Sequence, residues 1–429
     1  MNILVLGAAV SGAAAARLAR HLGYHVEIYD RRAAALSALR DEAFVVHSGV
    51  WVPDHLRNKD LVVTSPGFPE HSPPITDALS SGIPLVSELE FASMHMDAPL
   101  IAVTGTNGKT TVTGLIADML VASGVDAVAA GNIGTALSTV ALDPPALTVV
   151  EASSFQLRFI DSFSPSVAVV VNIAPDHLDW HGTFDAYVAA KARIFENQGP
   201  EDVVVVDADD AVASDLARQA PGRTIRVSGH RVTEDAAGFD GDIVVGDQRM
   251  PPPDVGASFL LDLAIASVAA LESGATPAGV AGVIAGFSTG PHRRRLVGEW
   301  AGVQWVDDSK ATNPHAAIAA VSSYPSVVLI AGGRNKGLDL EPLVTAPSVK
   351  AVIALGEAAE EIMALTPSRR AATIDEAVAI ADEIAVAGDT VLLAPGCASF
   401  DMFDNYAARG DAFVTAVRST KEDSSWPAA

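Results

Sequence analysis

Uninterrupted apolar runs of strand length recur along this chain, separated by stretches with apolar residues at helical spacing. Ile3–Leu6, Val26–Tyr29 and Leu61–Val63 fall in a first block, residues 1–95. Thr148–Val150, Val167–Val171 and Val203–Val206 lie in a second, 96–290, and Val327–Ile330, Ala351–Leu355 and Thr390–Leu393 in a third, 291–429. Strands that are apolar on both faces and alternate with helices predict parallel sheets covered on both sides. Segment 231–257 is polar, rich in Gly, Pro and Asp and without periodicity, which predicts an irregular or hairpin region. Phe259–Leu271 is apolar but broken by Asp262 and Ser267, so it predicts a buried core helix rather than a membrane span.

The run Leu100–Val103 introduces the most informative turn. Thr104-Gly105-Thr106-Asn107-Gly108-Lys109-Thr110-Thr111 leads into helical spacing at Val112, Leu115, Ile116, Met119 and Leu120, which ends at Ser123-Gly124. A strand, a glycine turn and a helix start direct backbone N–H groups and the positive end of a helix dipole at one point, as in a triphosphate cradle. Lys109 supplies a mobile cation for the β- and γ-phosphates, and the Thr110 hydroxyl is placed to ligate Mg²⁺. Ala102 stands where the usual P-loop pattern has Gly.

A second glycine turn, Gly7-Ala8-Ala9-Val10-Ser11-Gly12, follows the first strand and opens an Ala-rich helix, and Asp30 ends the next strand. This is close to a dinucleotide fingerprint with Ala9 in place of the middle Gly, and Asp30 would reach a ribose or base. The turn alone fits a nicotinamide cofactor, a UDP-sugar or a structural turn about equally. The first block is short for a complete six-strand dinucleotide fold, which weighs against the nicotinamide. The expected fold is α/β in three domains. A Rossmann-like N-terminal domain (1–95) is followed by a central P-loop ATPase-type parallel-sheet domain (96–290) and a C-terminal Rossmann-like α/β domain (291–429).

Other candidates cluster after strands of the middle block. Glu151 ends a strand near the P-loop, where a carboxylate can hold Mg²⁺ opposite Thr110, or simply favour a helix dipole. Asp176 and His177, just past another strand, are candidates for metal ligation or for orienting a nucleophile, with a polar capping turn as the plain reading. His181 follows His177 by four positions, but the Glu of a zinc-protease helix is missing and Mg²⁺ accords better with a P-loop. Lys191 falls inside the apolar stripe Phe184, Tyr187, Val188, Ile194 and Phe195. A lysine there either snorkels to water, which the sequence alone favours, or has a specific partner. Desolvation favours the neutral amine, which can add CO₂ to give a carbamate.

Composition narrows the partners. The chain has 52 acidic and 28 basic residues, a net charge of −24, which argues against nucleic acid. It leaves phosphorylated small molecules open, provided that local N–H groups, a few cations and divalent metal override the global field. A single cysteine, Cys397, excludes an internal disulfide framework and fits a reducing, cytoplasmic setting. Met1-Asn2-Ile3-Leu4-Val5-Leu6 runs straight into a strand without a basic region, so no signal peptide is expected.

With Thr104–Thr111, Glu151–Gln156 and Asp176-His177, the chain resembles the Mur ligase family. Asp307-Asp308-Ser309-Lys310-Ala311-Thr312-Asn313, Gly332-Gly333-Arg334-Asn335-Lys336-Gly337 and Cys397-Ala398-Ser399-Phe400-Asp401-Met402-Phe403 narrow the likeness to the branch that adds D-glutamate. The resemblance runs from Gly7 to about Gly410 with the motifs in order. It implies that ATP phosphorylates the terminal carboxylate of UDP-N-acetylmuramoyl-L-alanine and that the amine of D-glutamate displaces the phosphate, in a cytoplasmic, monomeric enzyme of peptidoglycan precursor synthesis. Neither a membrane nor a nucleic acid takes part.

The resemblance also assigns residues. Gly105, Thr106, Asn107, Gly108, Lys109, Thr110, Thr111, Arg293 and Asp308 serve ATP, with Arg293 at the γ-phosphate and Asp308 at the ribose. Lys109, Glu151, His177 and Lys191 are catalytic. Thr110 and Glu151 hold one Mg²⁺, and His177 and a carbamylated Lys191 a second. Lys310, Thr312, Lys336, Ser399, Phe400 and Tyr406 build the D-glutamate pocket. Ser11, Asp30, Arg31, Ser65, Gly67 and Asn132 surround the UDP-muramoyl substrate.

The chain departs from the family pattern in four places. Ala9 and Ala102 replace glycines, Arg295 stands where Glu is usual, and Ser258-Phe259-Leu260-Leu261-Asp262 replaces a His-Asn-x-x-Asn segment that usually serves the adenine. Another Mur-type or a folylpolyglutamate-type ligase is the alternative. The UDP-type first block and Cys397–Phe403 speak against the latter. A dehydrogenase leaves the P-loop unexplained, and a non-catalytic nucleotide-binding regulator leaves the retained Lys109, Glu151, His177, Lys191 and Lys336 unexplained.

Overall fold

The computed structural model describes residues 1–423. The apolar runs form three separate sheets. Strands β1 (Asn2–Leu6), β2 (His25–Asp30), β3 (Val45–Ser48), β4 (Leu61–Thr64) and β5 (Leu85–Ser87) make a parallel sheet in the order β3-β2-β1-β4-β5. Strands β6 (Leu100–Thr104), β7 (Ala127–Gly131), β8 (Leu147–Glu151), β9 (Val167–Val170), β10 (Val203–Asp207) and β11 (Arg223–Val227) make a second, all parallel, in the order β11-β10-β9-β6-β8-β7. The polar segment near 240 is a three-stranded antiparallel meander: β12 (Ala237–Phe239), β13 (Ile243–Val245) and β14 (Gln248–Met250).

Strands β15 (Arg295–Trp300), β16 (Val303–Asp307), β17 (Val327–Gly332), β18 (Val349–Leu355), β19 (Ser368–Ala371) and β20 (Thr390–Leu393) form the last sheet in the order β15-β16-β20-β17-β18-β19. Only its edge strand β15 runs antiparallel, paired to β16 across a register shift between Leu296 and Gly298. Central strands such as β6, β10 and β17 are buried at every position, which is why they read as continuous Val, Leu and Ile runs rather than alternating ones.

Two compact units result. The first comprises 1–173 and 180–287 and contains the first two sheets and the meander. The second comprises 288–429 together with the short stretch Ala174–Asp179. In the first unit, Ala257–Glu272 is the expected buried helix, and its Leu263, Ile265 and Val268 pack in the same core as Ile116 and Leu120 of the helix Lys109–Ala122. In each major sheet the strand order reverses direction beside a central strand, and ligands of open α/β sheets bind at the carboxyl ends there. Among the described residues no helix is long and apolar enough to cross a membrane.

Candidate active site

In the first unit, the carboxyl ends of β6, β8 and β9 meet around Gly105–Thr110. Gly108 is the N-cap of the helix Lys109–Ala122 at φ +82. A Cβ there would lie 2.6 Å from Asp262 Oδ1 and 2.9 Å from Val171 Cγ1, so both conformation and space demand glycine. The loop is braced from the segment just after β9: Thr106 N donates to Asn172 O at 2.8 Å, and the Asn172 side chain accepts from Asn107 N and donates to Asn107 O. Lys109 Nζ donates to Gly105 O and Thr106 O at 2.9 Å each, and Thr111 continues the first helical turn.

Glu151, at the end of β8, is almost completely buried. Its two oxygens accept from Thr110 Oγ1 and from Asn132 Nδ2, both at 2.9 Å. A hydroxyl and a carboxylate side by side at a phosphate loop suit a hard divalent cation such as Mg²⁺. No cluster of three or more His, Cys, Asp or Glu able to hold a metal exists among the described residues. Mg²⁺ is commonly held by one or two carboxylates and completes its shell with phosphate oxygens and water.

Lys191 does not snorkel. It is 1% exposed on the helix Phe184–Ala192, and its Nζ donates to Gly105 O at 2.7 Å and Thr104 Oγ1 at 3.4 Å. It also lies 4.6 Å from the centre of the Tyr187 ring, whose hydroxyl meets Thr106 Oγ1 at 3.0 Å. The carbonyl at the open end of β6 gives the ammonium an internal acceptor, so it has no need to reach water. Below it, His181 Nε2 shares a hydrogen bond with Ser154 Oγ at 2.9 Å and stacks on Phe155.

The first sheet repeats the strand-turn-helix plan with different surroundings. Gly7 takes φ +106, and Cβ atoms at Gly7 and Gly12 would stand 2.6 and 2.8 Å from Ser65 Oγ. That hydroxyl is buried and has no hydrogen-bond partner among the described residues. A buried donor without a partner is costly, and a ligand oxygen in the turn would satisfy it. Asp30 lies at the end of β2, but its oxygens accept from Ala8 N at 3.1 Å and Arg32 N at 2.9 Å, so it also fastens the turn. Ser11 is partly exposed on the first helical turn, and Arg31 and Gly67 are exposed.

In the second unit the carboxyl ends of β16, β17 and β20 meet. Asp308 follows β16 and accepts from Arg294 N at 3.2 Å, and burial raises its carboxyl to about 6 against the pull of Arg294 and Arg293. Lys310 Nζ lies 5.4 Å from the Tyr406 ring centre, and Thr312 N donates to Lys310 O. Ser399 is buried beside exposed Phe400. Lys336 Nζ pairs with Asp176 Oδ1 at 2.9 Å, and Asn313 Nδ2 donates to Asp176 Oδ2 at 3.2 Å. The Lys336 ammonium and neighbouring hydrogen bonds hold the Asp176 carboxyl below its usual range although burial opposes this. His177, at φ +52, belongs to this second unit, whereas Lys191 belongs to the first.

The sequence reading missed several polar braces. Buried Arg409 donates to Ser309 Oγ, Ser309 O and Cys397 O, tying the loop of Lys310 to the loop of Ser399, and burial lowers its guanidinium to about 10. Asp210 accepts from Ile173 N at 2.6 Å and caps the helix Ala211–Ala217. Asn172 was visible only as a polar residue past a strand. An Asp immediately before a helix start was a readable cap signal, but none marked its remote partner.

A phosphate loop on a parallel sheet, with a buried carboxylate beside its Thr and a second α/β unit carrying lysines, defines an enzyme that handles nucleoside triphosphates. Family models match in chain order: Mur ligase MurD-like, N-terminal domain over 1–87, Mur ligase middle domain over 103–248, and Mur ligase, glutamate ligase domain over 292–397. A UDP-N-acetylmuramoylalanine--D-glutamate ligase of Frankia casuarinae is 43% identical, the match covering 97% of this chain and 94% of that protein. One of the same name from Halalkalibacterium halodurans is 37% identical, covering 98% of each. The solved MurF ligase of Thermotoga maritima in complex with ADP has the same fold, with a TM-score of 0.60 at 18% identity over 88% of this chain and 98% of that one. The chain belongs to the Mur ligase family.

Proposed function

We propose that the protein is an ATP-dependent amide ligase that joins D-glutamate to UDP-N-acetylmuramoyl-L-alanine in peptidoglycan precursor synthesis. The observation that carries this reading is the P-loop with Lys109 and the Thr110–Glu151 pair, in a chain 43% identical to a relative named for that reaction. The family alternatives are not favoured by these relatives.

The substrate carboxylate attacks the γ-phosphorus of ATP and ADP leaves, giving an acyl phosphate. The deprotonated amine of D-glutamate then adds to the acyl carbon, and the tetrahedral adduct expels inorganic phosphate as the amide forms. Both partners of the first step are anions, so their approach requires positive charge and oriented N–H groups. Lys109 and the amides of Gly105–Thr111 supply these at the phosphates, and Arg293 adds a cation at the transferring group. Thr110 and Glu151 would hold Mg²⁺, which neutralises phosphate charge when bound. Asp308 accepts from the ribose. Lys310, Thr312, Lys336, Ser399, Phe400 and Tyr406 receive D-glutamate, with the lysines facing its carboxylates. Ser11, Asp30, Arg31, Ser65, Gly67 and Asn132 hold the UDP-muramoyl moiety, and His177 acts with the reacting groups. The three domains are 1–95 for the UDP substrate, 96–290 for ATP and 291–429 for the amino acid. The enzyme works as a cytoplasmic monomer.

In the working enzyme Lys191 carries a carbamate, which would supply a ligand to a second Mg²⁺. Its near-complete burial supports this, because burial works against the charged form and the neutral amine is the one that adds CO₂. Lys191→Ala is expected to lose most activity and to regain part of it with added formate or acetate. Turnover like that of the unmodified sequence would remove Lys191 from the site.

The decisive assay measures phosphate release. It should require ATP, UDP-N-acetylmuramoyl-L-alanine and D-glutamate together, and equal turnover with L-lysine or diaminopimelate rejects the assignment.

A further inference from the structure

His292 is a buried histidine with no part in the mechanism above. A carboxylate only accepts hydrogen bonds, so its ring Nδ1–H donates to Asp307 Oδ2, at 2.7 Å. Asp307 is fully buried, and its other oxygen accepts from Ser309 N at 3.0 Å. The backbone oxygen of His292 accepts from Lys310 N at 3.1 Å. On its other side the ring presses on the helix Tyr406–Asp423: a Cβ at Gly410 would stand 2.1 Å from Nδ1. A glycine within a helix costs about 1 kcal/mol relative to alanine, and the close approach of this ring accounts for it.

The backbone explains why such a lock is needed. His292 and Arg294 have φ of +58 and +47, so Arg293 is flanked by two left-handed residues, neither of them glycine. Such conformations persist where the surroundings over-determine them. The Arg294 side is fastened by its N–H to Asp308, and the His292 side by Asp307, Lys310 and Gly410.

We propose that His292, locked by Asp307 and seated on Gly410, is a positioning residue that fixes the backbone from which Arg293 acts in phosphoryl transfer. This rests on the reading of Arg293 given above. A cation that must meet charge developing in the transition state contributes only if its direction is set beforehand. The lock therefore acts on turnover more than on binding. A histidine that merely filled space would change stability without singling out a step.

Steady-state kinetics of His292→Phe, His292→Asn, Gly410→Ala, Arg293→Ala and the double variant His292→Phe/Arg293→Ala test this. His292→Phe and Gly410→Ala should lower kcat by about tenfold or more while KM for D-glutamate stays within about twofold. His292→Asn keeps an N–H near Nδ1 and tolerates positive φ, so it should retain most of the turnover. In the double variant the histidine change should add nothing to the loss from Arg293→Ala, because both act through one guanidinium. Additive losses, or a rise in the D-glutamate KM at unchanged kcat, overturn the proposal. Should His292→Phe fail to fold, Gly410→Ala and His292→Asn decide: equal losses of kcat in those two also overturn it. An unsubstituted protein without D-glutamate-dependent phosphate release overturns the functional reading and this proposal with it. Additivity in an active enzyme overturns the proposal alone.

Discussion

The two glycine turns of the first unit, Gly7–Gly12 and Gly105–Thr110, share a plan but not a chemistry. Each follows a central parallel strand, opens a helix and needs glycine at positive φ. The first turn is met by the Ser65 hydroxyl and fastened by Asp30. The second has Lys109 within it, the Thr110–Glu151 pair beside it and buried Lys191 on its carbonyl. Backbone amides at a helix start will hold an anion in either place. Moving a phosphoryl group demands in addition a cation and a metal-binding pair, and only the second turn has them. On the proposed function, one turn holds a substrate and the other makes it react.

The sharpest break of this comparison is Lys109→Met. It should reduce kcat by about three orders of magnitude, a loss typical of removing a main electrostatic contact to a transferring group. Retained turnover would mean that the amides suffice and that the two turns are equivalent. Ser65→Ala should be milder, raising KM for the UDP substrate about fivefold, the worth of one hydrogen bond near 1 kcal/mol, with kcat kept. Its melting temperature should hold or rise slightly, because the hydroxyl it removes has no partner among the described residues. A fall in kcat at constant KM would give the first turn a share in the chemistry.

The smallest effect concerns a carboxyl beyond both turns. Burial raises Asp207, at the end of β10, from 3.8 to about 7. The folded chain thus holds a proton that the unfolded chain has released across that interval. The stability from this group is present in full below about pH 4 and is lost as pH rises through about 7. Asp207→Asn should flatten that decline, read as melting temperature against pH. An unchanged pH profile would assign the decline elsewhere.

Much of this was legible from sequence for physical reasons. Buried parallel strands are apolar on both faces, and phosphate turns need glycine at fixed spacing, so both leave local marks. Asp308, Lys310 and Lys336 came instead from resemblance, since lysines near loops carry no pattern of their own. Lys191 was visible as an anomaly in an apolar stripe, but its fate was not. The acceptor that keeps it inside, Gly105 O, lies 86 positions away in sequence. Arg409 and Ser309 are 100 positions apart, and His292 and Asp307 are 15 apart across a chain reversal. Hydrogen bonds between remote residues decide which polar side chains are buried, and no window of local periodicity contains both ends. The antiparallel direction of β15 likewise depends on its partner strand.

The six-residue stretch Ala174–Asp179 gives the C-terminal unit a piece of foreign sequence. Lys336 and Asn313 find their carboxylate in Asp176, which is encoded more than a hundred positions upstream. That unit is therefore not a cassette: a gene fragment opening at Ser288 would encode a domain that lacks one of its own parts. Exchanging this domain between relatives would have to carry the short upstream stretch along.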